Sequence, residues 1–366
     1  VLDRRAWAVP PGSLVVLEDA DRAPLGLAAY NPGSKIAARM LSRDPEDVVD
    51  AAWFGARLDR ALSLRERLYD GPYYRLVHAE ADGLPGVVID RFGDAAVVQP
   101  NAAWAEARFE DLADALTKTT GINSIVKNAS GRARGLEGLD DRGGLVRGAL
   151  DAPLDVPMNG ATYRADLLAG QKTGLFYDQR PNHAMAARLA AGLRVLDVFT
   201  HVGGFALAAL AAGAASAHAV DGSVAALDLA EEGAERSGVA DRLTTERADA
   251  FDALTGLGDA GATFDMVICD PPAFAPAKPA LEAGLRAYER IARLAAPLVG
   301  EGGYLILCSC SHAADLPRFR QASLRGIGKA GRAAQILATG GAGPDHPVHP
   351  HLAESAYLKT LFLRLN

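Results

Sequence analysis

The stretch that most narrows the folds open to this chain is Val195-Leu196-Asp197-Val198-Phe199-Thr200-His201-Val202-Gly203-Gly204-Phe205. A short apolar run carries an acid, a small-residue turn with two adjacent glycines follows, and an Ala/Leu-rich helical stretch comes next. That order predicts the first strand, turn and helix of an open α/β sheet. Glycines in such a turn let a backbone approach a ligand, because they lack a Cβ and tolerate positive φ. Ala217-His218-Ala219-Val220-Asp221 reads as the next strand. It places Asp221 at a carboxyl end, where an acid can accept from a ribose diol. An ordinary strand-loop-helix crossover fits the same residues as well.

Beyond residue 166 the pattern continues. Strands are expected at 194–198, 218–221, 243–247, 266–270 and 303–308, with a final pair at 336–339 and 357–364. Helical stretches alternate with them, which argues for a mostly parallel sheet covered on both faces. Two smaller units precede it. Residues 1–68 read as a mainly β unit with strands at 13–18, 24–30 and 35–41 and a linking helix over 48–68. Residues 69–166 read as α+β, with strands at 73–79, 86–90, 95–99 and 124–127 and a helix over 104–119. The run Ser130-Gly131-Arg132-Ala133-Arg134-Gly135 suits a phosphate-touching loop or a merely solvated one. A hairpin bending at Asn159-Gly160 closes this unit. Residues 167–366 form the third domain.

Composition sets outer limits. The chain has 366 residues, 49% of them hydrophobic, and a formal net charge of -7. That charge argues against indiscriminate polyanion binding, so a nucleic-acid contact has to come from a local patch. Three cysteines, Cys269, Cys308 and Cys310, make no disulfide framework and fit a reducing cytosol. No basic-plus-apolar leader opens the sequence at Val1, and a cytoplasmic location is expected. The uncharged run 198–220 is long enough for a membrane span, but its glycines, alanines and two histidines divide it into turn, helix and strand.

The chemistry gathers at strand ends: Asp197, Asp221, Asp249, Asp270 and Cys310. Asp249 suits an exocyclic amine, with Phe251 against a ring; it suits a helix N-cap equally. In Asp270-Pro271-Pro272-Ala273-Phe274 the two prolines stiffen the backbone just past the sheet and remove two donors, leaving carbonyls beside a carboxylate. A planar, amine-bearing ring fits there, and Phe274 is placed to stack on it. Cys308 and Cys310 share one strand face, with Cys310 nearer the rim as a candidate nucleophile and Cys308 a core residue. A metal site from Cys308, Cys310 and His312 with His346, His349 or His351 follows no common zinc spacing, and no metal is expected. Gly170-Gln171-Lys172-Thr173 lacks the upstream glycine of a phosphate loop.

Together these motifs resemble one family. Its marks are Gly170-Gln171-Lys172-Thr173-Gly174-Leu175-Phe176-Tyr177-Asp178-Gln179-Arg180, the 197–205 loop, Asp221, Asp249, Asp270-Pro271-Pro272 and Ser309-Cys310-Ser311. Asp82-Gly83-Leu84-Pro85-Gly86 with Asp90-Arg91-Phe92-Gly93, Asp345-His346-Pro347-Val348 and Tyr357-Leu358-Lys359 extend the likeness over nearly the whole chain. The family is the class I S-adenosylmethionine-dependent large-subunit ribosomal RNA cytosine-C5 methyltransferases with an N-terminal PUA domain. The resemblance implies a Rossmann-like methyltransferase domain after a PUA-like and a central domain, S-adenosylmethionine as cofactor, and ribosomal RNA as partner without membrane attachment. It implies Phe176, Asp178, Gln179 and Arg180 around cofactor and substrate. Asp197, Phe199, Thr200, Gly203 and Gly204 would line the methionine end, Asp221 would hold the ribose and Asp249 with Phe251 the adenine, and Ser223 and Asp270 also count among the cofactor-binding positions. Asp270, Pro271, Pro272 and Phe274 would face the target base, and Cys310 would attack it. Where the family often carries Lys after the prolines this chain has Ala273, so Lys278 is the candidate replacement; the PUA-like domain also looks shortened. Competing readings are a uracil-C5, guanine or small-molecule methyltransferase, a nicotinamide-dependent oxidoreductase, and a non-catalytic RNA-binding module. Nothing in the sequence sets the oligomeric state.

Overall fold

In the computed structural model, residues 7–151, 153–168, 174–352 and 355–366 are described. The chain divides into two compact units. One comprises 1–154, 166–175 and 344–349; the other comprises 155–165, 176–343 and 350–366.

The first unit opens with an antiparallel sheet of β1 (Ser13–Glu18), β2 (Pro24–Tyr30) and β3 (Ala38–Ser42). β3 begins three residues later than the expected 35, because the Asn31 amide donates to the Ala37 carbonyl and closes a turn over the intervening residues. Helix α1 (Ala51–Leu68) starts where Asp50 caps it, the carboxylate accepting from the Trp53 amide at 2.8 Å. A five-stranded sheet follows, built from β4 (Tyr73–His78), β5 (Val87–Phe92) and β6 (Ala95–Pro100), then β7 (Ser124–Lys127) and β8 (Gly144–Arg147). The helix expected over 104–119 is two helices, α2 (Ala103–Ala107) and α3 (Phe109–Thr120), because Arg108 leaves the helical region at φ -120° and ψ 26°. Phe54 stacks on Trp104 with centroids 6.0 Å apart and Trp53 meets both rings edge-on, which anchors α1 in the core.

The Gly/Arg run is largely solvated, with Ser130, Gly131, Arg132, Ala133 and Gly135 exposed. It forms the short helix α4 (Arg132–Leu136), and Arg134 is buried, bonded to the carbonyls of Pro100 and Asp140 and paired with Glu106 at 2.9 Å. The hairpin of β9 (Leu154–Met158) and β10 (Ala161–Ala165) also differs from expectation, since it groups with the second unit. Its Thr162 amide donates to the Ser237 hydroxyl there.

In the second unit α5 (Arg180–Leu189) leads into β11 (Arg194–Val198), α6 (Gly204–Ala211), β12 (Ser216–Asp221) and α7 (Val224–Arg236). Then follow β13 (Leu243–Arg247), α8 (Ala250–Asp259), β14 (Phe264–Cys269), α9 (Leu281–Ala295) and β15 (Val299–Ser309). The chain closes with α10 (Leu316–Lys329), β16 (Ala334–Gly340) and β17 (Lys359–Leu365). The sheet order is β13-β12-β11-β14-β15-β17-β16, parallel from β13 to β15, with β17 antiparallel to both its neighbours. The chain runs outward from β11 to β13 and then returns to β14 on its other side. The carboxyl ends of β11 and β14 therefore flank a topological switch point, where open α/β sheets bind ligands. Among the described residues no helix is long and apolar enough to cross a membrane; the uncharged run 198–220 is loop, the eight-residue α6 and strand.

Candidate active site at the strand ends

The loop after β11 carries unusual backbone strain. Phe199 and His201 hold φ of 65° and 52°, and Gly203 holds 82°. Non-glycine residues rarely occupy that region, and such strain persists where surrounding bonds impose it. Those bonds are visible. The amides of Phe199 and Thr200 donate to the Val220 carbonyl, and the His201 amide donates to Asp221 Oδ2 at 2.9 Å. The Asp221 carboxylate also accepts from the Ser223 amide, and the Ser223 hydroxyl caps α7. Gly203 needs its left-handed backbone. Gly204 is required for a different reason: a Cβ there would lie 2.8 Å from His183 Nε2, so a side chain rather than a ligand fills its space.

Asp197 is fully buried beneath this loop. Its Oδ2 accepts from the Thr200 hydroxyl at 2.7 Å and from the Ala206 amide at 3.0 Å. Burial pushes its carboxyl up to about 6, against those bonds. Oδ1 is sealed from water with no well-formed hydrogen bond, although the Phe205 amide also favours the charged carboxyl. Asp249 is exposed, and its carboxylate caps α8 by accepting from the amides of Phe251 and Asp252 at 2.9 and 3.3 Å.

The turns after β14 and β15 are tied together. The Ala275 amide donates to Ser311 Oγ at 2.9 Å, and Tyr288 of α9 joins Ser311 Oγ at 2.7 Å and Ser309 Oγ at 2.9 Å. Cys310 sits between those serines and is half-buried, with Sγ 4.0 Å from the Pro271 carbonyl oxygen. One of the carbonyls expected to stay free therefore faces the thiol. Cys308 and Cys269 are fully buried, and burial pushes both thiols well up. Asp270 is half-buried, Pro271 buried and Pro272 exposed. Phe274 packs in a file of rings, 6.2 Å from Phe251 and 5.1 Å from Tyr288, and the Arg290 guanidinium lies 4.5 Å from the Phe251 ring centre. Lys278 is exposed in a single 3-10 turn before α9.

Of the long fingerprint, Gly170, Gln171, Lys172 and Thr173 lie outside the described residues. Phe176 meets the His201 ring at 4.9 Å, and Asp178 accepts from the Tyr357 hydroxyl. Gln179 is buried and bonded to Asn182, and Arg180 lies over the Tyr177 ring. Among the described residues no group of three or more His, Cys, Asp or Glu is arranged to hold a metal; His346 is instead bonded to Asp345 in the first unit. Sequence reasoning missed Tyr288 and His183. Tyr288 is legible only as one of the apolar positions Gly284, Tyr288, Ile291 and Ala295 along one helix face. His183 is buried between Tyr163 and Phe205 and held neutral, its pKa pushed down to about 3 by burial.

A family model described as S-adenosylmethionine-dependent methyltransferase matches residues 143–364, and one described as a PUA-like domain matches residues 2–43. Ribosomal RNA large subunit methyltransferase I of Shewanella amazonensis is 37% identical over 93% of this chain and 87% of its own. The protein of that name from Escherichia coli O139:H28 is 36% identical over the same shares. A crystal structure of a methyltransferase complexed with SAH superposes with a TM-score of 0.84 at 21% identity, covering 97% of this chain and 92% of that one.

Proposed function

The chain belongs to the S-adenosylmethionine-dependent methyltransferases with a PUA-like N-terminal domain, and from that premise we propose that it methylates carbon 5 of a cytosine in large-subunit ribosomal RNA through a covalent adduct on Cys310. The observation that carries this reading is the half-buried Cys310 thiol beside the Pro271 carbonyl, at the carboxyl ends of β15 and β14, next to the switch point between β11 and β14. A thiol has no place in simple amine methylation, but carbon 5 of cytosine is a poor nucleophile and needs one.

The residues fit the cofactor. Asp197 offers an acid oxygen with no well-formed bond of its own at the methionine end, and Asp221 offers a carboxylate for a ribose diol. Thr200, Gly203, Gly204 and Phe199 line the same loop, Ser223 follows Asp221, and Asp249 with Phe251 stands at the adenine end. Phe176, Asp178, Gln179 and Arg180 are assigned to the pocket walls. When bound, S-adenosylmethionine supplies an electrophilic methyl group.

The chain's own residues prepare the base. The cytosine leaves its stack, at a cost of a few kcal/mol that an RNA loop or opened helix reduces. Pro271, Pro272 and Phe274, with Lys278, bound the space it enters. The Cys310 thiolate adds to carbon 6, and Asp270 holds the proton gained at the ring nitrogen, so electron density collects at carbon 5. After methylation there, a base removes the carbon-5 proton, the thiolate leaves and the ring nitrogen gives its proton back to Asp270, restoring the aromatic ring.

Incubation with labelled cofactor and unmodified large-subunit RNA, followed by nucleoside mass spectrometry, tests this. The expected product is 5-methylcytidine, and Cys310→Ala loses at least about a thousandfold in rate, the scale of removing a covalent nucleophile, while still binding cofactor. 5-Methyluridine as product would move the reading to uracil, and full turnover by the alanine variant would refute the covalent route.

A further inference from the structure

Lys359 opens β17 opposite Ser309, the residue before Cys310. Its side chain is buried, and its ammonium donates to the main-chain carbonyls of Ser311 at 2.6 Å and Ala314 at 2.7 Å. Among the described residues no carboxylate forms an ion pair with it. A buried cation held only by neutral carbonyls is costly unless an anion forms close by. Two groups facing it favour its charge: Cys310, and Asp315 at the start of α10. Burial opposes them and brings its pKa down to about 8. Tyr288 from α9 also faces Cys310, and Asp270 beyond β14 faces the deeper Cys308.

We propose that Lys359 is a positioning residue for Cys310. Its ammonium, clasped by the carbonyls of Ser311 and Ala314, fixes the turn that carries the thiol and stabilises the thiolate. The inference rests on the covalent reading of Cys310 and says how the nucleophile is made ready. The two anchors on the turn divide the work. Tyr288 holds Ser309 and Ser311 through their hydroxyls and brings no charge, whereas Lys359 holds the main chain and brings a positive one.

The test is iodoacetamide alkylation of Cys310 in the full chain without RNA, followed by peptide mass spectrometry across pH; the thiolate sulfur displaces iodide. Neutralising Lys359 as Lys359→Met is expected to raise the midpoint by about one pH unit and slow alkylation about tenfold at pH 7. An unchanged profile in a folded variant overturns the proposal. Tyr288→Phe is expected to keep the wild-type midpoint, and a rise equal to that of Lys359→Met would overturn the role of charge. Should Lys359→Met not fold, the wild-type profile decides: a midpoint below the free-cysteine value near ~8.5 supports the proposal, and one at or above it overturns it. Because alkylation needs neither RNA nor methyl transfer, these outcomes stand apart from the turnover of Cys310→Ala.

Discussion

Single residues in this site answer to two demands at once. Asp197 spends one oxygen on the Thr200 hydroxyl and the Ala206 amide and leaves the other without a well-formed bond. Replacing it by Ala strands a buried hydroxyl and a buried amide, at about 1–3 kcal/mol. It also removes the acid assigned to the methionine end. The expected outcome for Asp197→Ala is a lower melting midpoint together with cofactor binding at least about tenfold weaker by calorimetry, since a lost charge-assisted contact is worth about 1.5 kcal/mol or more. Undiminished affinity would remove Asp197 from the cofactor site. Asp249 shows how one residue type leaves two readings open. An acid following a strand suits both a cap and a ligand, and the geometry shows the cap without closing the other use.

At the scale of elements, the loop between β11 and α6 is the part most tightly specified. Its positive-φ residues are held by bonds to β12, so its shape depends on a strand that comes later in the chain. Gly204 is fixed by α5 through the His183 ring. A Gly204→Val substitution forces that ring aside, and overpacking of this kind costs about 1–3 kcal/mol. The melting midpoint should fall by several degrees, and an unshifted midpoint would show that His183 moves freely. The strand-turn-helix order here was legible from the apolar run and the paired glycines. The reason for the second glycine was not, because it lies in a contact across 21 residues of sequence.

For the whole chain, buried histidine sets the response to acid. His183 is held at about 3 in the folded protein against an ordinary value near ~6.5. The unfolded chain therefore binds the extra proton, and stability is lost as pH falls below about 6.5 toward 3. Between pH 7 and pH 5 that loss is about 2 kcal/mol. Asp197, raised to about 6, works in the opposite sense and returns about 1 kcal/mol over the same interval. His78 in the first unit, also lowered to about 3, adds to the loss there. Thermal melts should show a lower midpoint at pH 5 than at pH 7, with a smaller drop in His183→Gln. An equal drop in that variant would assign the acid sensitivity to other groups.

The sequence by itself determined the alternation of strands and helices after residue 176, the acids at strand ends and the rim position of Cys310, because periodicity and local turn chemistry are short-range properties. It also carried the family resemblance in Asp270-Pro271-Pro272 and Ser309-Cys310-Ser311. Only the tertiary structure decided that the hairpin of β9 and β10 joins the second unit, that Arg134 is buried, and that Tyr288 and Lys359 clasp the turn bearing Cys310. Those relations join residues up to 75 positions apart. Burial and hydrogen-bond satisfaction set them, and neither exists until the sheet has closed around them.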